Sequence, residues 1–380
     1  MKYTLTLIFF FSFTFVMNAQ TTLSGTIQHD GNTRQYILDV PTSYDGNQPV
    51  ALVFNLHGVG SNSGQQRFYS EMWITAEANG FLVCHPDGID NAWNVGFDAP
   101  MAGDVDDVGF ISALIDTLST EYNIDPHQVY SCGMSLGGFM SYRLACELEG
   151  RIAAVASITG SMGNWLAGNC NPDRPVPVLQ MHGTADDVVL IDGSPGAYPS
   201  IDNVINLWRT INTCGDQAES TMIPDTDMTD GSTVEKFLYN DCADDTEVEY
   251  WLVTGGEHTW PGAFFDIGVT NQDVEASDEI WNFFQRHPHP GVTTSLEVAT
   301  QLDVSVYPNP AQRTLFIEGA PVGPLDVRIW NTLGQLVFNQ TVDHVGGDLR
   351  IDLDQILTNG VHYLKLDHES GHANYTFVKQ

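Results

Sequence analysis

The amino-acid sequence predicts a doubly wound, mostly parallel α/β domain followed by a small C-terminal β-sandwich. From Thr22 to about Arg286, short apolar runs alternate with amphipathic segments, the pattern of a parallel sheet that helices cover on both faces. After a proline-containing break, the pattern changes to short alternating strands without a clear helix. The length of 380 residues is sufficient for two such domains.

The α/β prediction rests on five apolar runs with the length and composition of buried strands. Each run is followed by a turn that contains glycine, and ligands bind at the carboxyl ends of strands in open α/β sheets. A helix is predicted between the last two runs, because apolar residues recur three and four positions apart from Ile201 to Ile211. The five runs are residues 51–56, 81–84, 129–132, 177–181 and 250–253.

The domain boundary is predicted from composition. Residues 286–291 alternate histidine and proline and precede a polar Thr/Ser stretch, which indicates a domain end and a linker. His287 and His289 are interpreted as linker residues rather than metal ligands. The predicted segments are residues 1–19 (signal peptide), 20–286 (α/β domain), 287–300 (linker) and 301–380 (sandwich).

The first 19 residues have the features of a secretory signal peptide. Lys2 supplies the positive start, an apolar run extends from Leu5 to Val16, and Ala19 is a small residue at the predicted cleavage site. Gln20 would then begin the mature chain. The run is too short to span a bilayer comfortably, so we expect a secreted protein with no membrane in its mature form.

The chain is strongly acidic, with 14 Lys and Arg against 48 Asp and Glu and a formal net charge of −34. A surface of this charge repels nucleic acid and anionic membranes, so neither is expected as a partner.

Secretion favours disulfide bonds among the six cysteines. We predict two pairs, Cys146–Cys170 and Cys214–Cys242, because the members of each pair flank one short segment. Cys84 and Cys132 each end a predicted buried strand. The strand of residues 51–56 is expected between theirs, and two strand spacings exceed the reach of a disulfide, so both thiols are predicted to be free.

Gly133-Met134-Ser135-Leu136-Gly137 has the pattern of a nucleophile elbow, in which a serine stands on a tight turn between a strand and a helix. The pattern alone is weak, but an apolar strand precedes it and a helical segment follows. Small flanking residues let the backbone pass closely, and a helix N-terminus favours negative charge on the substrate oxygen. Ser135 is therefore the predicted nucleophile.

A serine nucleophile needs a base, and the base needs a carboxylate to orient it. In this strand–turn–helix setting the chain order is serine, acid, histidine. Asp186 follows the strand of residues 177–181, with Asp187 as its rival, and His258 lies on a glycine-containing loop after the strand of residues 250–253. These residues complete the predicted catalytic triad.

The remaining predicted site residues surround the nucleophile. The backbone N–H groups of Val59 and Leu136 are predicted to form the oxyanion hole, and His57 is interpreted as a structural residue. No zinc or calcium spacing is evident, so no metal or other cofactor is expected. Asp225, Asp227 and Asp230 miss the calcium-loop spacing and are interpreted as part of a hairpin turn.

At these motifs the chain resembles the polyhydroxybutyrate depolymerase and feruloyl/acetylxylan esterase family of α/β-hydrolases. The resemblance implies ester hydrolysis through an acyl-enzyme without a cofactor. In the family pattern the residue after the matched aspartate is often proline, where this chain has Asp187. The matching stretches are residues 57–58, 86–88, 93–94, 106–108, 133–138, 182–186 and 258–262.

The tail resembles a type IX secretion sorting domain, at Tyr307-Pro308-Asn309-Pro310, at residues 334–337 and at residues 359–363. This implies the type IX secretion machinery as a partner. The alternative is a carbohydrate- or polyester-binding module, but such modules present several exposed aromatic side chains and the tail has a single tryptophan, Trp330.

Three functions are compatible with these features. The leading hypothesis is a secreted esterase that removes feruloyl or acetyl groups from polysaccharides. The second is an extracellular polyhydroxybutyrate or polyester depolymerase, and the third is an inactive binding protein that uses the same cleft. A complete triad argues against the third, and Trp93 and Trp260 are predicted to form an aromatic wall for a sugar or phenolic ring.

Overall fold

The computed structural model describes residues 20–97, 105–291, 302, 304–331, 336–353, 359–368 and 371–380. The predicted signal peptide and the predicted linker from residue 292 onwards lie outside the described residues. The described chain divides into two compact units, one ending at Val292 and one beginning at Thr293.

The first unit is built on a ten-stranded sheet with the order β1-β2-β4-β3-β5-β6-β7-β10-β9-β8. The six central strands, from β4 to β10 in that order, run parallel, and the strands at both edges pair antiparallel. The doubly wound α/β class is therefore confirmed. The strands are β1 Thr21–His29, β2 Asn32–Val40, β3 Val50–Leu56, β4 Leu82–Pro86, β5 Ile124–Met134, β6 Val155–Ile158, β7 Val178–Gly183, β8 Glu219–Met222, β9 Thr233–Tyr239 and β10 Val248–Thr254.

Helices cover both faces of this sheet, and a separate apolar core lies on each face. One core contains Phe110, Tyr142 and Trp208 from three helices. The other contains Met72 and Phe284 from two more. The helices are α1 Ser63–Ser70, α2 Met72–Asn79, α3 Asp107–Glu121, α4 Leu136–Glu147, α5 Asn164–Asn169, α6 Ile201–Ile211 and α7 Ala276–Phe284.

The helix predicted from apolar spacing is α6, and the residues that carried the prediction form its inner face. Ile201, Val204, Ile205 and Trp208 are buried, while Ile211 at the last position is half-buried. Ser200 caps the helix, since its hydroxyl accepts a hydrogen bond from the N–H of Asn203.

The cysteine predictions are confirmed. Cys146 is bonded to Cys170 and Cys214 to Cys242. Cys84 on β4 and Cys132 on β5 are free and buried, with β3 between their strands. The two bonded pairs are separated by 24 and 28 residues in the sequence. In the chain-entropy model, a disulfide that closes a loop of this length stabilises the fold by about 3 kcal/mol.

The predicted linker begins too early. His287 and His289 are buried, and His289 exchanges two hydrogen bonds with His127: its N–H donates to the His127 carbonyl, and its own carbonyl lies 3.0 Å from His127 Nδ1. The ring of His287 lies 2.7 Å from a Glu247 carboxylate oxygen. The chain therefore remains packed on the first unit through His289.

The second unit is the predicted β-sandwich. A three-stranded sheet and a four-stranded sheet, both antiparallel, contribute apolar residues to one core that includes Leu315, Ile329 and Leu364. Its strands are β11 Ser305–Tyr307, β12 Thr314–Glu318, β13 Gly323–Asn331, β14 Leu336–His344, β15 Leu349–Asp352, β16 Gly360–His368 and β17 Gly371–Lys379.

Across the described ranges, no helix has both the length and the apolar character that crossing a bilayer requires.

A chain that ends at Gly291 should fold on its own and unfold cooperatively on heating. Both cores of the first unit are formed entirely by residues before Gln285, so this unit buries its own apolar faces. A chain that ends at Arg286 is the matched comparison. It loses the hydrogen bonds of His289, and its Tm should fall by roughly 5 °C or more. Failure of the Gly291 chain to fold would mean that the first unit requires the sandwich for its stability.

Candidate active site

Ser135 stands on a sharp turn between β5 and α4, as the elbow pattern predicts. Its backbone has φ 55° and ψ −122°, a conformation that is unfavourable for any residue with a side chain. A Cβ on Gly133 would lie 2.6 Å from the Leu56 carbonyl oxygen, and one on Gly137 would lie 2.1 Å from the same atom. Glycine is therefore required on both sides because β3 passes directly against the turn.

The two predicted oxyanion donors lie in segments that adjoin Ser135. Leu136 is the first residue of α4, where backbone N–H groups have no partner within the helix. Val59 belongs to the loop after β3, and in that loop a Cβ on Gly58 would lie 3.2 Å from the Ser135 Cβ. The oxyanion role of both amides remains a prediction.

His57 and Trp93 support the loop after β3 from inside the protein. The His57 Nε2 accepts a hydrogen bond of 3.0 Å from the Gly88 N–H, so its Nδ1 carries the proton and donates to the Gly58 carbonyl at 2.7 Å. Burial lowers the pKa of His57, which favours this neutral form. The Trp93 Nε1–H donates to the His57 carbonyl at 2.9 Å. His57 is thus structural, as predicted.

His258 and Asp186 meet because their strands, β10 and β7, are parallel neighbours whose carboxyl ends lie at the same edge of the sheet. The His258 Nδ1 lies 2.8 Å from the Asp186 Oδ2. The other oxygen, Oδ1, accepts hydrogen bonds from the N–H groups of Val188 and Val189 at 2.9 and 2.8 Å. Asp187 is exposed, so the geometry favours Asp186 over its rival.

The electrostatics of the pair keep Asp186 ionised. Burial would raise the pKa of Asp186, but the hydrogen bond and charge of His258, together with the N–H of Val189, outweigh it and hold the pKa below its usual range. A carboxylate that stays charged can fix the His258 tautomer and stabilise the imidazolium that forms during catalysis.

His182 is buried against the turn that carries Asp186, and the sequence did not predict this role. Its Nε2 lies 2.8 Å from the Val189 carbonyl and 3.5 Å from the Asp186 Oδ2, and its Nδ1 lies 3.1 Å from the Gln180 amide. Burial lowers the pKa of His182. A His-Gly pair at the end of a buried strand was the available signal. Glycine is required at position 183, because a Cβ there would lie 2.2 Å from the carbonyl oxygen of Gly256, in the loop that carries His258.

Ser135 and His258 face one cavity of about 430 Å³. Most of its other lining side chains are apolar, and apart from His258 none of the described lining residues is ionisable at neutral pH. The lining residues are Gly58, Val59, Ser61, Gln65, Gln66, Phe68, Tyr69, Met134, Ser135, Val188, His258, Phe265 and Ile267.

The aromatic wall of the cavity is formed by Phe68, Tyr69 and Phe265 rather than by the predicted tryptophans. Trp93 and Trp260 are both only 1% exposed and belong to the two apolar cores. That prediction is wrong because each indole is enclosed by the sheet and its covering segments and does not border the cavity. The missed signal was Phe264-Phe265, an apolar pair within the turn-rich segment that follows His258.

The aspartates at residues 225–230 lie in the connection between β8 and β9. Asp227 and Asp230 accept hydrogen bonds from Thr229 and Ser232, two residues further on, as predicted for a hairpin turn. Within the described ranges, no group of three or more His, Cys, Asp or Glu side chains has the arrangement of a metal site.

Comparison with known proteins assigns a relationship to each unit. Residues 305–380 match the family model of a secretion system C-terminal sorting domain. Feruloyl esterase B of Piromyces equi is 28% identical over 239 residues, which cover 59% of this chain and 42% of that protein. Feruloyl esterase D of Neurospora crassa is 29% identical over 281 residues, covering 71% and 86%.

A bifunctional acetylxylan esterase/xylanase of Neocallimastix patriciarum is 28% identical over 199 residues, covering 52% of this chain and 27% of that protein. The chain thus spans less than half the length of two of these three relatives. The first unit is related to feruloyl and acetylxylan esterases, and the second has the sequence of a secretion sorting domain.

Proposed function

We propose that this relative of feruloyl and acetylxylan esterases is a secreted serine ester hydrolase that removes hydroxycinnamoyl groups, such as feruloyl, from polysaccharides. The observation that carries the proposal is that a strained serine elbow and a His258–Asp186 pair open onto one apolar, aromatic cavity. A nucleophile, an oriented base and an apolar acyl site are the requirements of acyl transfer from an aromatic ester.

The reaction follows from the roles of these groups. The Ser135 Oγ attacks the ester carbonyl carbon while the His258 Nε2 takes the proton of the Ser135 hydroxyl. The carbonyl oxygen becomes negatively charged, and the N–H groups of Leu136 and Val59 donate hydrogen bonds to it. His258 then protonates the leaving sugar hydroxyl, which releases the alcohol and leaves an acyl-enzyme. Water activated by His258 hydrolyses this intermediate and regenerates Ser135.

The cavity lining supports a hydroxycinnamoyl group rather than an acetyl group. Phe68, Tyr69 and Phe265 supply ring faces, and the rings of Tyr69 and Phe265 are 5.0 Å apart. Offset or edge contacts between aromatic rings are worth about 0.5–1.5 kcal/mol beyond the area they bury. A volume of about 430 Å³ lies within the range for drug-sized ligands, whereas an acetyl group would fill only a small part of it.

The second unit supports export. A secretion sorting domain implies delivery to the cell surface or the medium, and we assign this step to the type IX secretion machinery. Two disulfides in the first unit fit an oxidising compartment outside the cytoplasm. A polymeric ester substrate would be encountered there.

The proposal is tested by assaying the purified protein side by side on methyl ferulate, acetylated xylan and polyhydroxybutyrate emulsion. We expect kcat/KM to be highest on the ferulate ester, measurable on acetylated xylan, and no clearing of the emulsion. Clearing of polyhydroxybutyrate without deacylation of either other substrate would establish the polyester depolymerase instead.

The acyl specificity should depend on Phe68, whose ring is 57% exposed at the cavity wall and whose removal leaves the core intact. Phe68→Ala should lower kcat/KM on methyl ferulate about tenfold and on p-nitrophenyl acetate less than about twofold, because only the larger acyl group reaches the ring. The control is Trp165→Ala, a similarly exposed aromatic on α5 that does not border the cavity. Equal losses on both esters would contradict the assignment of this wall to the acyl group.

A further inference from the structure

A buried glutamine, Gln66, stands in the wall of the catalytic cavity. It lies on α1, three residues before Tyr69 and four before Ser70, and all three belong to the buried face of this helix. Gln66 is only 3% exposed, whereas its neighbour Gln65, which borders the same cavity, is exposed. A glutamine is rarely buried unless hydrogen bonds satisfy its amide.

A buried chain of hydrogen bonds fixes the orientation of the Gln66 amide. The Ser70 hydroxyl donates its single proton to the Gln66 backbone carbonyl at 2.8 Å, so it can only accept from Asn55. The Asn55 Nδ2 supplies that bond at 2.8 Å, which leaves the Asn55 Oδ1 to face Gln66. The Gln66 Nε2 donates to this oxygen, also at 2.8 Å. The amide nitrogen of Gln66 is therefore held on the side of Asn55, and its carbonyl oxygen is at the other end.

The Gln66 Oε1 is an acceptor without a donor. No described residue donates a hydrogen bond to it, yet it is not fully covered by protein atoms. Because Gln66 has so little accessible surface and borders the catalytic cavity, this oxygen faces the cavity. Buried acceptors are normally paired, so an unpaired one in a cavity wall indicates a ligand that donates a hydrogen bond.

The surroundings of Gln66 favour a hydroxyl on the acyl group as this donor. The rings of Phe68 and Tyr69, on the same helix, form the proposed acyl wall, and the Tyr69 hydroxyl already accepts the N–H of Trp260. The carbonyl oxygen of Gln66 is neutral and acts only as an acceptor, so it suits a neutral hydroxyl. A phenolic hydroxyl has a pKa of about 10 and keeps its proton at neutral pH.

We propose that Gln66 selects acyl groups that carry a phenolic hydroxyl, whose proton is donated to the Gln66 Oε1. This inference rests on the proposed function and deepens it: the aromatic wall accepts the ring, and Gln66 distinguishes a hydroxylated ring from an unsubstituted one. An acyl group without the hydroxyl leaves the Gln66 oxygen unpaired in an apolar cavity. Sites built to bind a substrate hydroxyl reject analogues that lack it for this reason.

The test compares kcat/KM of the purified full chain on methyl p-coumarate and methyl cinnamate, two esters that differ by one phenolic hydroxyl. We expect kcat/KM of the wild type to be at least about tenfold higher on methyl p-coumarate. Gln66→Met replaces the amide by an apolar chain of similar length and should reduce this ratio to less than about twofold. The matched control is Gln65→Met, which borders the same cavity and should keep the wild-type ratio.

The ratio of two substrates on one preparation separates specificity from folding. Gln66→Met leaves the Asn55 Oδ1 without its donor, so Tm should fall, but a loss of folded protein lowers the rate on both esters alike. Equal kcat/KM of the wild type on the two esters would overturn the inference and leave the esterase intact. An unchanged ratio in Gln66→Met would assign Gln66 a structural role and also overturn it.

Binding distinguishes this inference from a failure of the proposed function. If the wild type hydrolyses no ester, calorimetric titration with the same two esters measures recognition without turnover. Binding of methyl p-coumarate at least about tenfold tighter than methyl cinnamate, with the difference lost in Gln66→Met, would retain the contact and reject the esterase. Equal binding of the two esters, or binding of neither, would overturn both.

Discussion

Replacement of Ser135 by alanine should lower kcat/KM on methyl ferulate at least about a thousandfold while the protein stays folded. Only binding and oxyanion stabilisation would remain, and a serine hydrolase without its nucleophile retains no more than these contributions. The variant keeps the same turn and removes a single oxygen atom, so Tm should change little. Initial rates and thermal unfolding of the same preparation check both expectations.

The matched control for this variant is Ser61→Ala, a serine that borders the same cavity on the loop after β3. It should change kcat/KM by less than about threefold, because the proposed mechanism gives its hydroxyl no chemical step. If Ser135→Ala kept more than about a tenth of the wild-type rate, the nucleophile would have to be another residue.

Asp186→Asn should lower kcat by about ten-thousandfold with little effect on KM. The Asp186 Oδ1 already accepts two backbone N–H groups, so the carbonyl oxygen of an asparagine should occupy that position. Its NH2 group would then point at the His258 Nδ1 and donate to it. This holds the proton of His258 on Nε2, the nitrogen that must accept the proton of Ser135.

Asp187→Asn separates the two neighbouring aspartates. Asp187 is exposed, and its replacement removes one charge from a surface that carries many, so kcat should change less than about twofold. A larger loss in Asp187→Asn than in Asp186→Asn would reverse the assignment of the acid, and the 2.8 Å contact of Asp186 with His258 would then not represent the active arrangement.

The position of β3 between β4 and β5 could be predicted from the expected fold, and the His258–Asp186 contact could be predicted because each residue follows the end of a strand. The turn after β7 and the loop after β10 carry Asp186 and His258, and parallel neighbours bring those ends together. The free thiols Cys84 and Cys132 follow from the same topology.

The substrate wall could not be predicted in this way. Whether an aromatic side chain points into a cavity or into a core depends on which segments cover it, and those lie far away in the chain. Trp260 follows His258 by two residues, yet it is enclosed beneath Tyr69, whose hydroxyl accepts its backbone N–H from 191 residues away. Phe68, the neighbour of Tyr69 on α1, is exposed instead.

The end of the first unit was missed for a similar reason. Composition marks a change at His287 and His289, but the carbonyl oxygen and the ring Nδ1 that pair with the His289 backbone belong to His127, 162 residues earlier. Proline-rich composition therefore shows where regular secondary structure ends and does not show where packing ends.

The positive φ at Ser135 has a consequence for how this protein would respond to selection. A side chain held in that conformation costs of order 1–3 kcal/mol, and glycine adopts it without that cost. A library screened for heat resistance alone should therefore enrich Ser135→Gly, the one replacement that relaxes the turn. A screen for thermostable variants must therefore measure kcat as well as Tm, because the replacement of Ser135 that raises Tm also removes the proposed nucleophile.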